Sequence, residues 1–161
     1  MNAPSELVRE VFSRVLEKQV FMFAEEASLD DLASGEGDWV EARISFHGPM
    51  EGSLSLALPK LAELEIAANF LGKDADDPDV ALCAEDSLKE ILNVVCGHML
   101  TALAGEDPVF DLSIPKVLPI AGDELARLAA LPESLGFDVE GNPAVLRFRI
   151  SEKDDLIAGT V

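Results

Sequence analysis

The strongest constraint on the fold is the amphipathic pattern of residues 85–105, which read EDSLKEILNVVCGHMLTALAG. At about 100° per residue, the apolar side chains of this stretch fall in one arc of a helical wheel. They are Leu88, Ile91, Leu92, Val95, Met99, Ala102 and Leu103. An apolar arc of this length must be covered by another layer of the protein, so the pattern predicts a long helix packed on a core.

A second set of residues lies opposite this arc and is called here the outward stripe: Asp86, Glu90, Asn93 and Gly97. They fall within about 60° of one another on the wheel. Most polar helix faces are only solvated. In a helix, however, Asn is less favourable than Ala by several tenths of a kcal/mol, and Gly by about 1 kcal/mol. Solvent exposure requires neither residue, so the outward stripe is a candidate surface for a partner.

The composition limits the classes of function. A net charge of −19, with only 12 Lys and Arg residues, argues against binding to nucleic acids or to anionic membranes. No apolar run approaches the ~20 residues of a membrane helix, and the N-terminal residues do not resemble a signal peptide, so we expect a cytoplasmic protein. The cysteines and histidines lack metal-binding spacing, so we expect no metal or cofactor of its own.

Periodicity predicts four helices. The first covers residues 4–26 and the last covers residues 123–131. The second begins at about residue 60 and is ended by Gly72, and the third begins after a cap at Asp79 and runs to about Gly105. We expect Trp39 and the phenylalanines to pack in the core or against the hairpins.

Alternating apolar residues predict two β-hairpins, at 39–58 and at 134–151, the second turning at Gly141–Asn142. Residues 108–122 are apolar and β-branched, but Pro115 and Pro119 restrict them to a sheet edge or a bulge. The predicted fold is therefore α+β, an antiparallel sheet of hairpins packed with helices in the order α-ββ-αα-β-α-ββ. We expect residues 1–161 to form a single domain with a loose tail at 153–161.

The outward stripe resembles the signature of the CheC/CheX family of chemotaxis phosphatases. In that signature an Asp or Ser is followed at fixed spacing by Glu, then by Asn, and further on by Pro. Asp86, Glu90 and Asn93 match in type and spacing, and Gly97 matches as well. Pro115 follows Asn93 after 21 intervening residues, one fewer than is usual in the family.

The number of motifs distinguishes the two branches of the family, since CheC proteins carry two copies and CheX proteins one. The first predicted helix has Glu10 but carries Ser13 where the motif requires Asn. The chain therefore resembles a CheX protein, with a single motif.

The resemblance implies a phosphatase that hydrolyses the aspartyl-phosphate of a CheY-like response-regulator receiver domain in two-component signalling. It implies that Asn93 positions the attacking water and that Glu90 docks to the receiver, with Asp86, Gly97 and Pro115 on the docking surface. The Mg²⁺ used in the reaction is expected on the receiver. The resemblance also implies a homodimer joined along sheet edges.

Two other interpretations remain open from the sequence. The same fold could bind a receiver or a motor-switch protein without accelerating hydrolysis, as a catalytically silent adaptor. The chain could also be a dimerising scaffold whose outward stripe is only solvated.

Overall fold

The computed structural model describes residues 3–32 and 37–151, in which helices pack on an antiparallel sheet. The helices are α1 (Ser5–Val20), α2 (Leu29–Leu32), α3 (Lys60–Leu71), α4 (Pro78–Ala104) and α5 (Gly122–Ala130). The strands are β1 (Ala24–Ala27), β2 (Trp39–His47), β3 (Glu51–Pro59), β4 (Asp111–Leu112), β5 (Lys116–Ile120), β6 (Ser134–Val139) and β7 (Asn142–Ser151). The predicted α+β class is confirmed.

The sheet has the strand order β1-β6-β7-β3-β2, with β4 and β5 both pairing with the outer side of β2. Every pairing is antiparallel. The predicted first hairpin is confirmed, with Ile44 opposite Leu54 and Ala42 opposite Leu56. Because side chains alternate along a strand, the apolar positions of β2 and β3 share one face of the sheet.

The main core lies between this face and helices α1, α3 and α4, where Phe12, Ile66, Leu92 and Phe137 are wholly buried or nearly so. A smaller cluster lies on the opposite face, where Leu125 and Leu128 of α5 pack near Trp39. Helix α4 contacts α1, α3 and strands β2, β3 and β5. It is therefore fixed on several sides, which makes its remaining face a rigid surface.

The predicted helix over residues 4–26 is wrong at its C-terminal end. Helix α1 ends at Val20 because Phe21 adopts a left-handed conformation, with φ of 56°. The chain then forms β1, whose backbone pairs with β6 from Ala24 opposite Val139 to Ala27 opposite Gly136. This pairing satisfies the backbone N–H and C=O groups that a longer helix would have satisfied internally. A pairing with a distant strand leaves no signal in the local periodicity of the sequence, so the sequence did not predict it.

The predicted element order therefore lacks two short elements, β1 and α2, and the single strand expected at 108–122 is divided into β4 and β5. Pro115 and Pro119 lie at the sheet edge, as predicted. The second hairpin is also confirmed, but Glu140 and Gly141 form its turn, with φ of 50° and 88°. The turn is thus one residue earlier than predicted.

The helix ends follow local capping rules. Gly72 ends α3 with φ of 67°, as predicted. Asp77, and not Asp79, caps α4, since its carboxylate accepts a hydrogen bond from the Asp79 N–H at 2.9 Å. Pro78 then occupies the first turn, where its missing N–H costs nothing.

Part of the sequence lies outside the described residues. This applies to the predicted loose tail at 153–161 and to residues 33–36 of the glycine-containing break before Trp39. The assignment of residues 1–161 to one domain stays a prediction. In the described ranges, no helix is long and apolar enough to cross a bilayer.

Candidate functional site

Helix α4 buries the apolar arc that the sequence predicts. Leu88, Ile91, Leu92, Val95 and Met99 are all buried. Further along the helix, Leu103 is half-buried against the core. Ala102 is exposed, contrary to its predicted place on the arc.

The outward stripe lies on the opposite side of α4, as predicted. Asp86 and Glu90 are exposed, and Asn93 and Gly97 are half-buried. All four belong to one continuous helix. Their relative positions are therefore set by helix geometry, about 1.5 Å of rise per residue, and not by a mobile loop.

The side chains of Glu90 and Asn93 are not engaged by the part of the chain that the structure describes. Within residues 3–32 and 37–151, neither side chain has a hydrogen bond or an ion pair. The nearby Lys89 is engaged instead with Glu85, at 3.4 Å between Nζ and Oε1. A carboxylate and a carboxamide one turn apart are thus available to a partner, and the amide can both donate and accept hydrogen bonds.

The described residues give no steric reason for a glycine at position 97. A Cβ atom built at this position meets nothing within 4 Å, and its backbone is helical. The fold would accept alanine, which favours a helix by about 1 kcal/mol over glycine. The low relief at Gly97 therefore suits close approach of another surface.

Pro115 lies immediately before β5, in the gap between the two edge strands. On one side of the gap, Ser113 N–H donates to the Ser45 carbonyl at 2.9 Å, and the Ser45 N–H donates to Ser113 Oγ at 2.9 Å. The intervening Ile114 is 83% exposed. The chain thus leaves the ladder at Ile114–Pro115, as the prediction of an edge or bulge required. The strand that directly follows Pro115, β5, contacts α4, which carries the rest of the motif.

The thiols and acidic groups form no metal-binding cluster of three or more ligands in the described part of the chain. Cys83 is half-buried and Cys96 is buried, and both are free thiols on α4. Burial raises the pKa of the Cys96 thiol to about 12, so it stays protonated and unreactive near neutral pH.

Sequence reasoning did not identify Glu63, a wholly buried carboxylate on α3. One of its oxygens accepts a hydrogen bond from Lys60 Nζ, and the other has no hydrogen-bond partner. The signal available in the sequence was the Lys–Glu spacing of three along a helix, which is common on solvated surfaces as well. The burial of Glu63 therefore distinguishes this pair from a surface ion pair, and that burial is set by the packing of α3.

Comparison with known proteins relates this chain to a protein family. The family model described as chemotaxis phosphatase CheX matches residues 40–133, which include the whole outward stripe and Pro115. No curated protein sequence matches the chain.

Several solved structures share the fold, including three CheX proteins. A CheX from Borrelia burgdorferi, solved as a CheX–CheY–BeF3–Mg²⁺ complex, is 21% identical, with 91% of this chain and 97% of that chain covered and a TM-score of 0.65. A CheX from Vibrio vulnificus is 21% identical, with 94% and 100% covered and a TM-score of 0.65. A CheX from Desulfovibrio desulfuricans is 16% identical, with 91% and 98% covered and a TM-score of 0.64.

The structures share a fold at low identity, and the family model matches more than half of the chain, including the motif segment. The chain belongs to the CheX family of chemotaxis phosphatases.

Proposed function

We propose that this protein hydrolyses the aspartyl-phosphate of a CheY-like receiver domain, with Asn93 positioning the attacking water and Glu90 docking to the receiver. The observation that supports the proposal is the pair of an exposed Glu90 and a half-buried Asn93 on the outward side of α4, neither engaged by the described residues. Membership of a phosphatase family and the likeness to a CheX crystallised with CheY support the same partner.

The chemistry requires little more than positioning. In the proposed step, water attacks phosphorus in line with the bond to the aspartyl oxygen, that bond breaks, and inorganic phosphate and a free Asp carboxylate result. The Asp carboxylate of the acyl-phosphate is a good leaving group, so catalysis depends on holding the water in place. The Asn93 carboxamide is neutral and can accept a hydrogen bond from water without repelling the phosphoryl oxygens.

Glu90 has a different role, because its negative charge would repel the phosphoryl group. We assign Glu90 to a salt bridge with the active-site Lys of the receiver, which would hold the docking surfaces of the two proteins in register. Asp86, Gly97 and Pro115 complete the proposed docking surface. The Mg²⁺ of the reaction belongs to the receiver in this proposal, and the net charge of −19 would steer a basic patch of the receiver toward this face.

The test measures the lifetime of a phosphorylated receiver. A CheY-like receiver is charged with a small phosphodonor, the donor is removed, and dephosphorylation is followed with wild-type protein, with Asn93→Ala and with no addition. We expect Asn93→Ala to reduce kcat by about 10²–10³, the cost typical of a lost positioning group, while the KM for the receiver changes little.

His98→Ala is a matched control, since His98 is exposed on the same helix but outside the outward stripe. It should retain full activity. An Asn93→Ala protein as active as wild type would contradict the water-positioning role.

A catalytically silent adaptor is the second candidate function, and the short Asn93–Pro115 spacing favours it. A displaced edge segment could alter the docking surface enough to keep binding and lose catalysis. In the same assay, an adaptor would bind the receiver activated by beryllofluoride and leave the phosphoryl lifetime unchanged. A chain that neither binds nor accelerates hydrolysis would contradict both functions.

We also propose that the protein is a cytoplasmic homodimer joined along the β4–β5 edge. Ile114 is 83% and Leu118 is 60% exposed, and among the described residues β4 and β5 pair on one side only, a combination that favours pairing with another chain. Leu118→Lys should shift sedimentation toward the monomer. A monomeric wild-type protein would contradict this part of the proposal.

A further inference from the structure

The end of α1 exposes two aromatic side chains. Phe21 is 75% exposed and Phe23 is 61% exposed, although the sequence predicts that phenylalanines pack in the core. The other six are buried or half-buried, so the prediction is wrong for this pair only. An aromatic side chain removes about 150–250 Å² from water when it is covered, and clustered exposure of this kind marks interaction sites.

Phe21 occupies a backbone position that disfavours its side chain. Its φ of 56° lies in the left-handed region, where glycine or asparagine normally ends a helix. Helix α3 uses Gly72 for the same purpose, with φ of 67°. Since Phe21 gains little burial in return, its presence is not explained by the stability of this fold.

Several carboxylates lie near the aromatic pair in sequence or through strand pairing. The Phe23 N–H donates to Glu140 Oε1 at 3.0 Å, and Glu17 lies one turn before Phe21. Glu25 and Asp138 are directly opposite each other on β1 and β6, and both are exposed. Like charges facing across a strand pair destabilise a sheet. Lys18 is the one basic residue in the last turn of α1.

The negative charge around the aromatic pair indicates which kind of partner could cover the two rings. A second copy would bring an identical acidic rim, and an anionic membrane would be repelled, so neither is compatible with this charge. A protein segment with apolar side chains flanked by Lys and Arg would cover the rings and neutralise the carboxylates. Two rings offer area for a short segment and not for a whole globular domain.

We propose that Phe21, Phe23 and the nearby carboxylates Glu25, Asp138 and Glu140 form a docking surface for a cationic amphipathic segment of a partner protein. This surface is separate in sequence from the outward stripe, and the proposal does not depend on phosphatase activity.

The test uses the full chain and a fluorescently labelled synthetic helical peptide with Leu at i, i+3, i+4 and i+7 and Lys elsewhere. We expect anisotropy to report a micromolar Kd that weakens as salt is raised. The double variant Phe21→Ser/Phe23→Ser should bind at least about tenfold more weakly. Both side chains are exposed, so the variant should keep the circular dichroism spectrum of the wild type.

Two controls make the result specific. Leu82→Ser removes another exposed apolar side chain, 80% exposed at the start of α4, and should leave the affinity unchanged. Glu25→Gln/Asp138→Asn keeps the aromatic pair and should reduce both the affinity and its salt dependence.

The proposal is overturned if the double phenylalanine variant binds the peptide as tightly as wild type, or if a peptide with Glu in place of Lys binds equally well. It is also overturned if sedimentation shows self-association of the free protein that the double variant loses, since the occupant would then be a second copy.

Discussion

Helices α1 and α4 carry outward-facing residues at the same spacing, but among the described residues only α1 has the two central side chains of its set engaged. On both helices the residues follow one another at intervals of four, three and four. They are Glu6, Glu10, Ser13 and Glu17 on α1, and Asp86, Glu90, Asn93 and Gly97 on α4. We call the first set the α1 stripe. The two helices contact each other, so they belong to one layer of the protein.

The α1 stripe is engaged within the chain. The Glu10 carboxylate lies 3.6 Å from the Arg14 guanidinium, and Ser13 Oγ donates to the Ala24 carbonyl at 3.0 Å. Glu90 and Asn93 make no such contacts with the described residues. The comparison teaches that spacing on a helix face indicates a partner only where the chain itself leaves the side chains unengaged. It also gives a physical reason to expect one functional motif and not two.

Exchanging the two polar residues is the strongest way to break this comparison. Asn93→Ser should lower the dephosphorylation rate about 10²–10³-fold, because a hydroxyl is shorter than a carboxamide and cannot place the water. Ser13→Asn should give no second site, since the side chain at position 13 faces the Ala24 carbonyl of β1, to which the Ser13 hydroxyl donates. The measurement is receiver dephosphorylation under single-turnover conditions. A gain of activity in Ser13→Asn would show that α1 is a latent second site.

The two glutamates should differ in a binding measurement. Glu90→Gln should raise the KM for the phosphorylated receiver by about tenfold, the size expected when one charge-assisted contact of about 1.4 kcal/mol is lost. Glu10→Gln should leave KM unchanged and cost only a few tenths of a kcal/mol in unfolding free energy, because its partner Arg14 is a neighbour on an exposed helix face. Equal effects on KM would contradict the assignment of α4 as the docking helix.

The C-terminal ends of the two helices also differ. Helix α4 is followed by Gly105, with φ of 83°, whereas α1 is followed by Phe21, with φ of 56°. Phe21→Gly should raise the unfolding free energy by roughly 1 kcal/mol, because glycine adopts the left-handed region without strain. Urea denaturation followed by circular dichroism measures this. A destabilised variant would show that the exposed ring contributes to the fold after all.

The smallest expected effect concerns the last residue of each set. Gly97→Ala should raise the unfolding free energy by about 0.5–1 kcal/mol, since the added Cβ meets nothing within 4 Å. The same variant should weaken receiver binding several-fold if Gly97 lies in the docking surface. Glu17→Ala on α1 should leave receiver binding unchanged. A Gly97→Ala protein that is stabilised and binds normally would remove Gly97 from the docking surface.

Much of the fold was predictable because its signals are local. The hairpin of β2 and β3 follows from strict alternation, and Gly72 ends α3 by its conformational freedom. The edge position of Pro115 and Pro119 follows from their missing N–H groups. Strand β1 was not predictable in this way, since AEEA has no apolar alternation and is held as a strand by pairing with β6. The sequence wrongly placed Phe23 in the first helix for the same reason, because nothing local in the sequence marks the strand that follows.

The sequence by itself determined which residues of α4 are buried and which face outward, because helical periodicity is a local property that every turn repeats. It also determined the spacing of Asp86, Glu90, Asn93 and Gly97. Only the tertiary structure decided that Ser13 is engaged, through a strand that pairs with residues more than a hundred positions away, while no described residue engages the Asn93 side chain. Long-range packing sets which polar groups are satisfied, and that distinction separates the candidate site from an ordinary helix face.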